Sequence, residues 1–353
     1  MSRLKRILLV LTILLLVLIG VAAWMFRSRA EPIPEKLPEI NLAEADPMKI
    51  VIPGSTGLPD LKLADLKGKT AYLVVGDRES MQSGESKLFD RAFARWKLPD
   101  DVVGYAIADT EGFKLFSGKI DEILGPMRPE IRLPLYVDYE GAVSKAFKLP
   151  KGHVGIVVLG PDGAITMRHS GPPADDKDPI LAELKTALRA EEPELPPAPA
   201  FKVGDLDNAA CAGKACMFIF LPRAVKLSEL PGVDGGFDGD MEATWKQLLD
   251  PAIRLAGLVA DSDKKLAAAK PAVAAAVQLA LVGSLEGLEL KHWKTVAAAD
   301  ESRAPFEIPA DQAAIVLIDP AGKLALRELG LVRMFKMVRI SELLGVDLGD
   351  RRE

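Results

Sequence analysis

The chain repeats itself. FKLPKGHVGIVVLGPDGAITMRHSG (147–171) aligns without gaps to FEIPADQAAIVLIDPAGKLALRELG (306–330), at an offset of 159. Eight of those 25 columns are identical, among them Phe147/Phe306, Pro150/Pro309, Pro161/Pro320, Gly163/Gly322 and Gly171/Gly330. A second pair, GKTAYLVV (68–75) and GKACMFIF (213–220), matches at an offset of 145. Whatever the first half folds into, the second must fold into as well, which excludes one large domain and leaves two copies of a smaller one. The growth of the offset places 14 additional residues in the second copy, expected in the loop 233–240 and the Ala-rich stretch 267–282.

Period and punctuation give each copy its elements. Tyr72 to Val75 and Phe218 to Leu221 are short apolar runs suited to buried central strands, and DVVGYAIAD (101–109) is another strand. SKLFDRAFARW (86–96) and MEATWKQLLDPAIRLAGL (241–258) carry apolar residues at helical spacing, with Pro251 kinking or restarting the second. The Pro-x-Gly centres at 161–163 and 320–322 set a hairpin between two strands. ILAELKTALRA (180–190) and VRISELLGV (338–346) close the halves as helices. Each half therefore runs β-α-β-(α)-β-β-α.

The flanking segments differ from these cores. Residues 7–26, from Ile7 to Phe26, form an uncharged apolar run of 20 residues, roughly 30 Å as a helix, enough to span a bilayer. Arg3, Lys5 and Arg6 precede it, which keeps the N-terminus in the cytoplasm and exports the rest. Val21-Ala22-Ala23 leaves a cleaved signal peptide as the alternative, although the run exceeds the usual 7–15-residue signal core. Residues 30–60 are rich in Pro, Glu and Ala and read as an extended stalk. EEPELPPAPA within 191–200 reads as a linker. The expected domains are thus an anchor at 1–29, a stalk at 30–60, a domain at 61–190, the linker at 191–200 and a domain at 201–353.

Charge and composition narrow the function. The 45 basic and 50 acidic residues give a net charge of −5, and all five charges before residue 31 are basic. The exported part is therefore at −10, which excludes a general nucleic-acid binder and a membrane-adhering face. Two cysteines and three histidines exclude a disulfide scaffold, a Cys₄ site and a His-rich metal centre, and no cofactor is expected.

The element order, the lead-in LADLKGKTAYLVV and the late PDG hairpin resemble the thioredoxin fold, most of all the membrane-anchored redoxins of the bacterial periplasm. The resemblance covers 61–190 and 200–346. It implies an α/β chain of two tandem thioredoxin-like domains, each a central mixed sheet flanked by helices, after an N-terminal transmembrane helix. It also implies a Cys-x-x-Cys after the first central strand and a cis-proline before the hairpin. Both halves depart from this. The stretches Gly76 to Ser83 and Pro222 to Ser228 hold no cysteine, and Val154 and Ala313 stand where the prolines would be.

Cys211 and Cys216 remain. Five residues apart in an exported chain, they are expected to bridge, either as a brace between loop and strand or as a redox pair of unusual spacing. His153 lies beside the missing cis-proline, either as a solvated loop residue or, with Val154, Arg78 and Arg223, as a binding residue. His169 is expected to be exposed, and His292 beside Trp293 has no legible partner. Glu79, Glu85 and Asp90 read as complements to a helix dipole. Met334 and Met337 read as core filler or, with the cysteines, as soft-metal ligands. The expected protein is a non-catalytic binding or scaffold module of the inner membrane. Its partners are membrane or periplasmic proteins. The alternatives are a thiol–disulfide oxidoreductase using Cys211 and Cys216, and a soft-metal carrier.

Overall fold

A computed structural model describes residues 30–41, 46–54, 57–114, 117–118, 120, 128, 132–230, 249–332 and 334–346. The expected membrane segment 7–26 and the loop 233–240 lie outside the described residues. Among the described residues no helix is long and apolar enough to cross a membrane.

In chain order the first half comprises β1 (Val51–Ile52), β2 (Leu61–Lys62), β3 (Thr70–Gly76), α1 (Arg78–Ser83), α2 (Lys87–Arg95), β4 (Val102–Asp109), β5 (Leu135–Asp138), α3 (Ala142–Ala146), β6 (Gly155–Leu159), β7 (Ile165–Ser170) and α4 (Pro179–Ala187). The second comprises β8 (Lys202–Val203), β9 (Leu206–Asp207), β10 (Ala215–Phe220), β11 (Val225–Lys226), α5 (Pro251–Ala268), α6 (Pro271–Ala275), β12 (Val277–Val282), β13 (Leu285–Glu286), β14 (Trp293–Val296), α7 (Asp300–Arg303), β15 (Ala314–Ile318), β16 (Leu324–Leu329) and α8 (Met334–Leu344).

Both halves build the same five-stranded sheet, ordered β5-β4-β3-β6-β7 and β14-β12-β10-β15-β16. The first three strands are parallel, and the hairpin strands return antiparallel beside the central one. This is the mixed α/β sheet expected of each half. Strand β5 was not anticipated, because four residues are too few to show a period.

The insertion is also placed differently. Val277 pairs with Ala215 as Val102 pairs with Thr70, so the offset here is 175. The end of the Ala-rich stretch 267–282 is therefore the core strand β12. Part of the added length before it is α5, 18 residues against nine in α2. Pro251 starts α5 at its first position, with Asp250 capping the Ala252 N–H at 2.8 Å.

β6, β10 and β15 are buried at every residue, as strands covered on both faces are. Alternation divides the second sheet into two cores: Met217, Ile219, Leu279 and Ile315 on one face, Phe218, Phe220, Ala280 and Val316 on the other. The repeat reaches down to single side chains. Arg168 donates to the Phe147 carbonyl at 2.6 Å, and Arg327 to the Phe306 carbonyl at 2.5 Å. The next residues, Lys148 and Glu307, both have positive φ, 48° and 51°.

The chain divides into two compact units, one of 1–86, 100–117 and 135–174, the other of 87–99, 118–134 and 175–353. Helix α2 belongs to the second, where it packs on α8 and Arg95 meets Glu342 at 3.0 Å. Residues 30–60, read as a stalk, do not stand free of the first unit. Leu37, Ile40, Met48 and Ile50 pack on its core, and β1 pairs with β2. The linker likewise lies along the second hairpin, with Ala198 N–H donating to Gly322 at 2.9 Å and Leu324 N–H to Pro196 at 2.8 Å.

Candidate functional site

In the first unit, the strand-to-helix corner after β3 faces the loop before β6. Asp77 caps α1. Its Oδ1 accepts the Ser80 N–H, while its own N–H donates to the Ser80 hydroxyl, both at 2.9 Å. Its other oxygen, Oδ2, accepts the Gly152 N–H across the corner at 2.5 Å. Gly84 ends α1 in a left-handed turn, φ 71°, and delivers Glu85 to the same loop. Glu85 Oε2 accepts the Val154 N–H at 2.8 Å, and Oε1 lies 2.9 Å from His153 Nδ1. His153 Nε2 lies 2.7 Å from the Glu31 carbonyl. At this corner the unit has two carboxylates holding two backbone N–H groups and an imidazole. No peptide bond among the described residues is cis.

Both ring nitrogens of His153 meet acceptors that carry no hydrogen. A neutral imidazole has one N–H, so only the imidazolium donates to both. Burial opposes that charge, but the Glu85 carboxylate, the Glu31 carbonyl and the Asp77 charge outweigh it and hold the ring above the usual histidine range.

The other expected binding residues separate. Val154 belongs to this loop through its N–H, with its side chain buried. Arg78 is the exposed first residue of α1. Arg223, its counterpart in the repeat, braces the second unit through Glu229 at 2.9 Å and Asp250 at 3.0 Å. His169, expected exposed, is half-buried because its ring turns back to the Gly171 carbonyl at 3.0 Å. The His292 N–H is held by buried Asp263 at 2.7 Å. Met337 packs against the second core, and among the described residues no group of three His, Cys, Asp or Glu could hold a metal.

In the second unit the equivalent loop is held by a different group. Arg303 is 4% exposed and donates to the carbonyls of Pro309 and Gln312, both at 2.9 Å, and of Leu221 at 2.8 Å. Its guanidinium lies over the Phe220 ring, 5.5 Å from the centroid. Glu85, Asp77, Glu31 and Arg303 were not legible as site residues. Glu85 and Asp90 do fall near helix starts, but the hydrogen bonds of Glu85 go to a loop 68 residues away.

Cys211 and Cys216 form a disulfide with Cα atoms 5.9 Å apart. Cys216 is the second residue of β10, and Gly213, φ 74°, makes the turn between the two. The cysteines are 2% and 0% exposed and sit in the core with Phe201, Phe218 and Phe306.

No family model and no curated protein matches the chain. Several solved structures are similar in part. A putative thiol:disulfide interchange protein DsbE from Chlorobium tepidum is 17% identical over 39% of this chain and 92% of that one, with a TM-score of 0.29. The pneumococcal exposed lipoprotein thioredoxin Etrx1 from Streptococcus pneumoniae is 22% identical over 39% and 98%, with a TM-score of 0.30. StoA from Bacillus subtilis is 16% identical over 40% and 98%, with a TM-score of 0.28.

Proposed function

We propose that this chain is a non-catalytic binding module: two thioredoxin-like domains exported from the cytoplasm, held at the inner membrane by residues 7–26, and scaffolding a complex of membrane or periplasmic proteins. One observation carries the reading. The corner that would present a reactive dithiol instead presents Asp77 and Glu85, both engaged by backbone N–H groups of the facing loop. A carboxylate accepting such bonds is neither a nucleophile toward a disulfide nor a redox group. The anchor reading is supported by the uncharged length of 7–26 and the basic residues before it.

The rival activity is thiol–disulfide exchange at Cys211 and Cys216. Exchange requires an incoming thiolate to reach one sulfur in line, and both cysteines are buried in the Phe218 core. The test is insulin reduction by the full-length protein with dithiothreitol as electron source. The expected result is the uncatalysed rate. Catalysis abolished by Cys216→Ser would overturn the proposal. A crosslinked pulldown from the native membrane is expected to return a reproducible partner.

A further inference from the structure

Residues 30–40, AEPIPEKLPEI, lie along the first unit as an extended ligand would. The Glu31 N–H donates to the Lys151 carbonyl at 2.8 Å, and the Lys151 N–H reaches Glu31 Oε2 at 3.3 Å. Further along, the Pro38 carbonyl accepts from Arg168 and the Glu39 carbonyl from Lys148, each at 2.6 Å. Two glycines leave room for the segment. Gly152, φ 84°, abuts Ala30, and Gly171, φ 95°, abuts the Ile33 side chain, so that a Cβ at either would collide. Leu37 and Ile40 pack against the core.

The segment and its seat are chemically complementary. Pro32, Pro34 and Pro38 favour an extended chain and have no N–H, so those residues can offer only carbonyls. The seat offers donors from Lys148, His153 and Arg168. Glu31, Glu35 and Glu39 against Lys36 leave the segment at −2, and Lys148 and Arg168 are the cations of the seat that reach it, through its backbone carbonyls. In the second half the proline-rich linker lies along the hairpin turn instead, Leu324 N–H donating to Pro196 at 2.8 Å, and the far end of Arg327, the counterpart of Arg168, turns to its own Glu307 carbonyl at 2.8 Å.

We propose that loop 148–154, with Arg168 and Gly171, is a binding site for an extended, acidic, proline-containing peptide. Residues 30–40 are its resident occupant, and His153 is the clasp that holds the occupant when protonated and frees it when neutral. The groups facing His153 are Glu85 from the turn after α1, Asp77 from the head of α1 and Glu31 from the occupant. Lys151 beside it is paired with Glu111. When the ring loses a proton, the remaining N–H stays with the Glu85 carboxylate, the stronger acceptor. The Nε2 lone pair then faces the Glu31 carbonyl, and attraction becomes repulsion. The site is the surface of the proposed module, but its occupancy is read without reference to any partner.

The test uses the full-length protein in detergent, with Glu35→Cys carrying a spin label; the two native cysteines are already bridged. The label is expected to be immobile at about pH 5. Its mobile fraction should rise on the order of tenfold by about pH 9. A synthetic peptide of residues 30–40, added at acidic pH, should also release it. His153→Gln should remove the pH response, and Glu85→Gln should move it to lower pH. Mobility constant with pH, or a response surviving His153→Gln, overturns the clasp. Failure of the peptide to release the label overturns the binding site. Release by peptide in a protein that captures no partner leaves this site standing and removes the scaffold reading.

Discussion

Loops 150–154 and 309–313 occupy the same place in two copies of one sheet, and both are held internally, by opposite means. In the first unit, carboxylates accept from the N–H groups of Gly152 and Val154. In the second, a guanidinium donates to the carbonyls of Pro309 and Gln312. A peptide group has one donor and one acceptor, so either sign of charge can hold a loop. The two solutions are not equivalent in use. Arg303 is buried and remains charged at any physiological pH, so its loop is fixed. Glu85 works with a histidine that titrates and with a segment of chain that can leave, so its loop can respond.

The largest effect should come from Arg303. Arg303→Met leaves three carbonyls without their donor, one of them at buried Leu221, and should cost about 3 kcal/mol in denaturant unfolding. Glu85→Ala, at a partly exposed loop, should cost less; an equal loss would break the contrast. The disulfide comes next. It closes a short loop, and the Cys211→Ala, Cys216→Ala double variant should lose about 2 kcal/mol on the chain-entropy model, seen in thermal unfolding.

A smaller effect concerns pH. The raised His153 contribution is complete below the ordinary histidine value of about 6.5 and is lost as pH rises through the folded value. Stability attributable to the first loop should fall by about 1 kcal/mol across that window, the usual net worth of one hydrogen bond. The fall should vanish in His153→Gln, with the ring's titration followed by NMR. The smallest test uses the repeat as its own control. Gly171 and Gly330 both have positive φ, but only the first faces another residue, Ile33. Both Ala variants should lose about 1 kcal/mol to backbone strain. Gly171→Ala should lose about 0.5 kcal/mol more, because Ile33 must also move. Equal losses would show that residues 30–40 do not bear on this position.

The hairpins were legible because Pro161, Gly163, Pro320 and Gly322 impose their φ values locally. The Cys211–Cys216 bridge was legible because five residues separate the pair. His153 was singled out by its position in the repeat, but its partners were not. Glu85 is 68 residues away and Glu31 is 122, and no local pattern records a hydrogen bond over that distance. Glu85 looked like a helix-dipole residue because a carboxylate near a helix start has the same local signature whether it faces solvent or a loop. Helix α2 was legible as a helix, but not as part of the second unit, because an apolar stripe does not say which core it completes.

The sequence alone determined that there are two copies of one α/β unit, where their hairpins turn, and that neither copy has a cysteine at the corner after its first central strand. These follow from periodicity, turn residues and identity at fixed offsets, all of which act over short stretches. Only the tertiary structure decided what stands at that corner and its facing loop: carboxylates and an imidazole in one copy, a buried arginine in the other, and a proline-rich segment laid along Lys148 and Arg168. Those arrangements depend on which distant groups the sheet brings within hydrogen-bond reach, and that distance is set by packing.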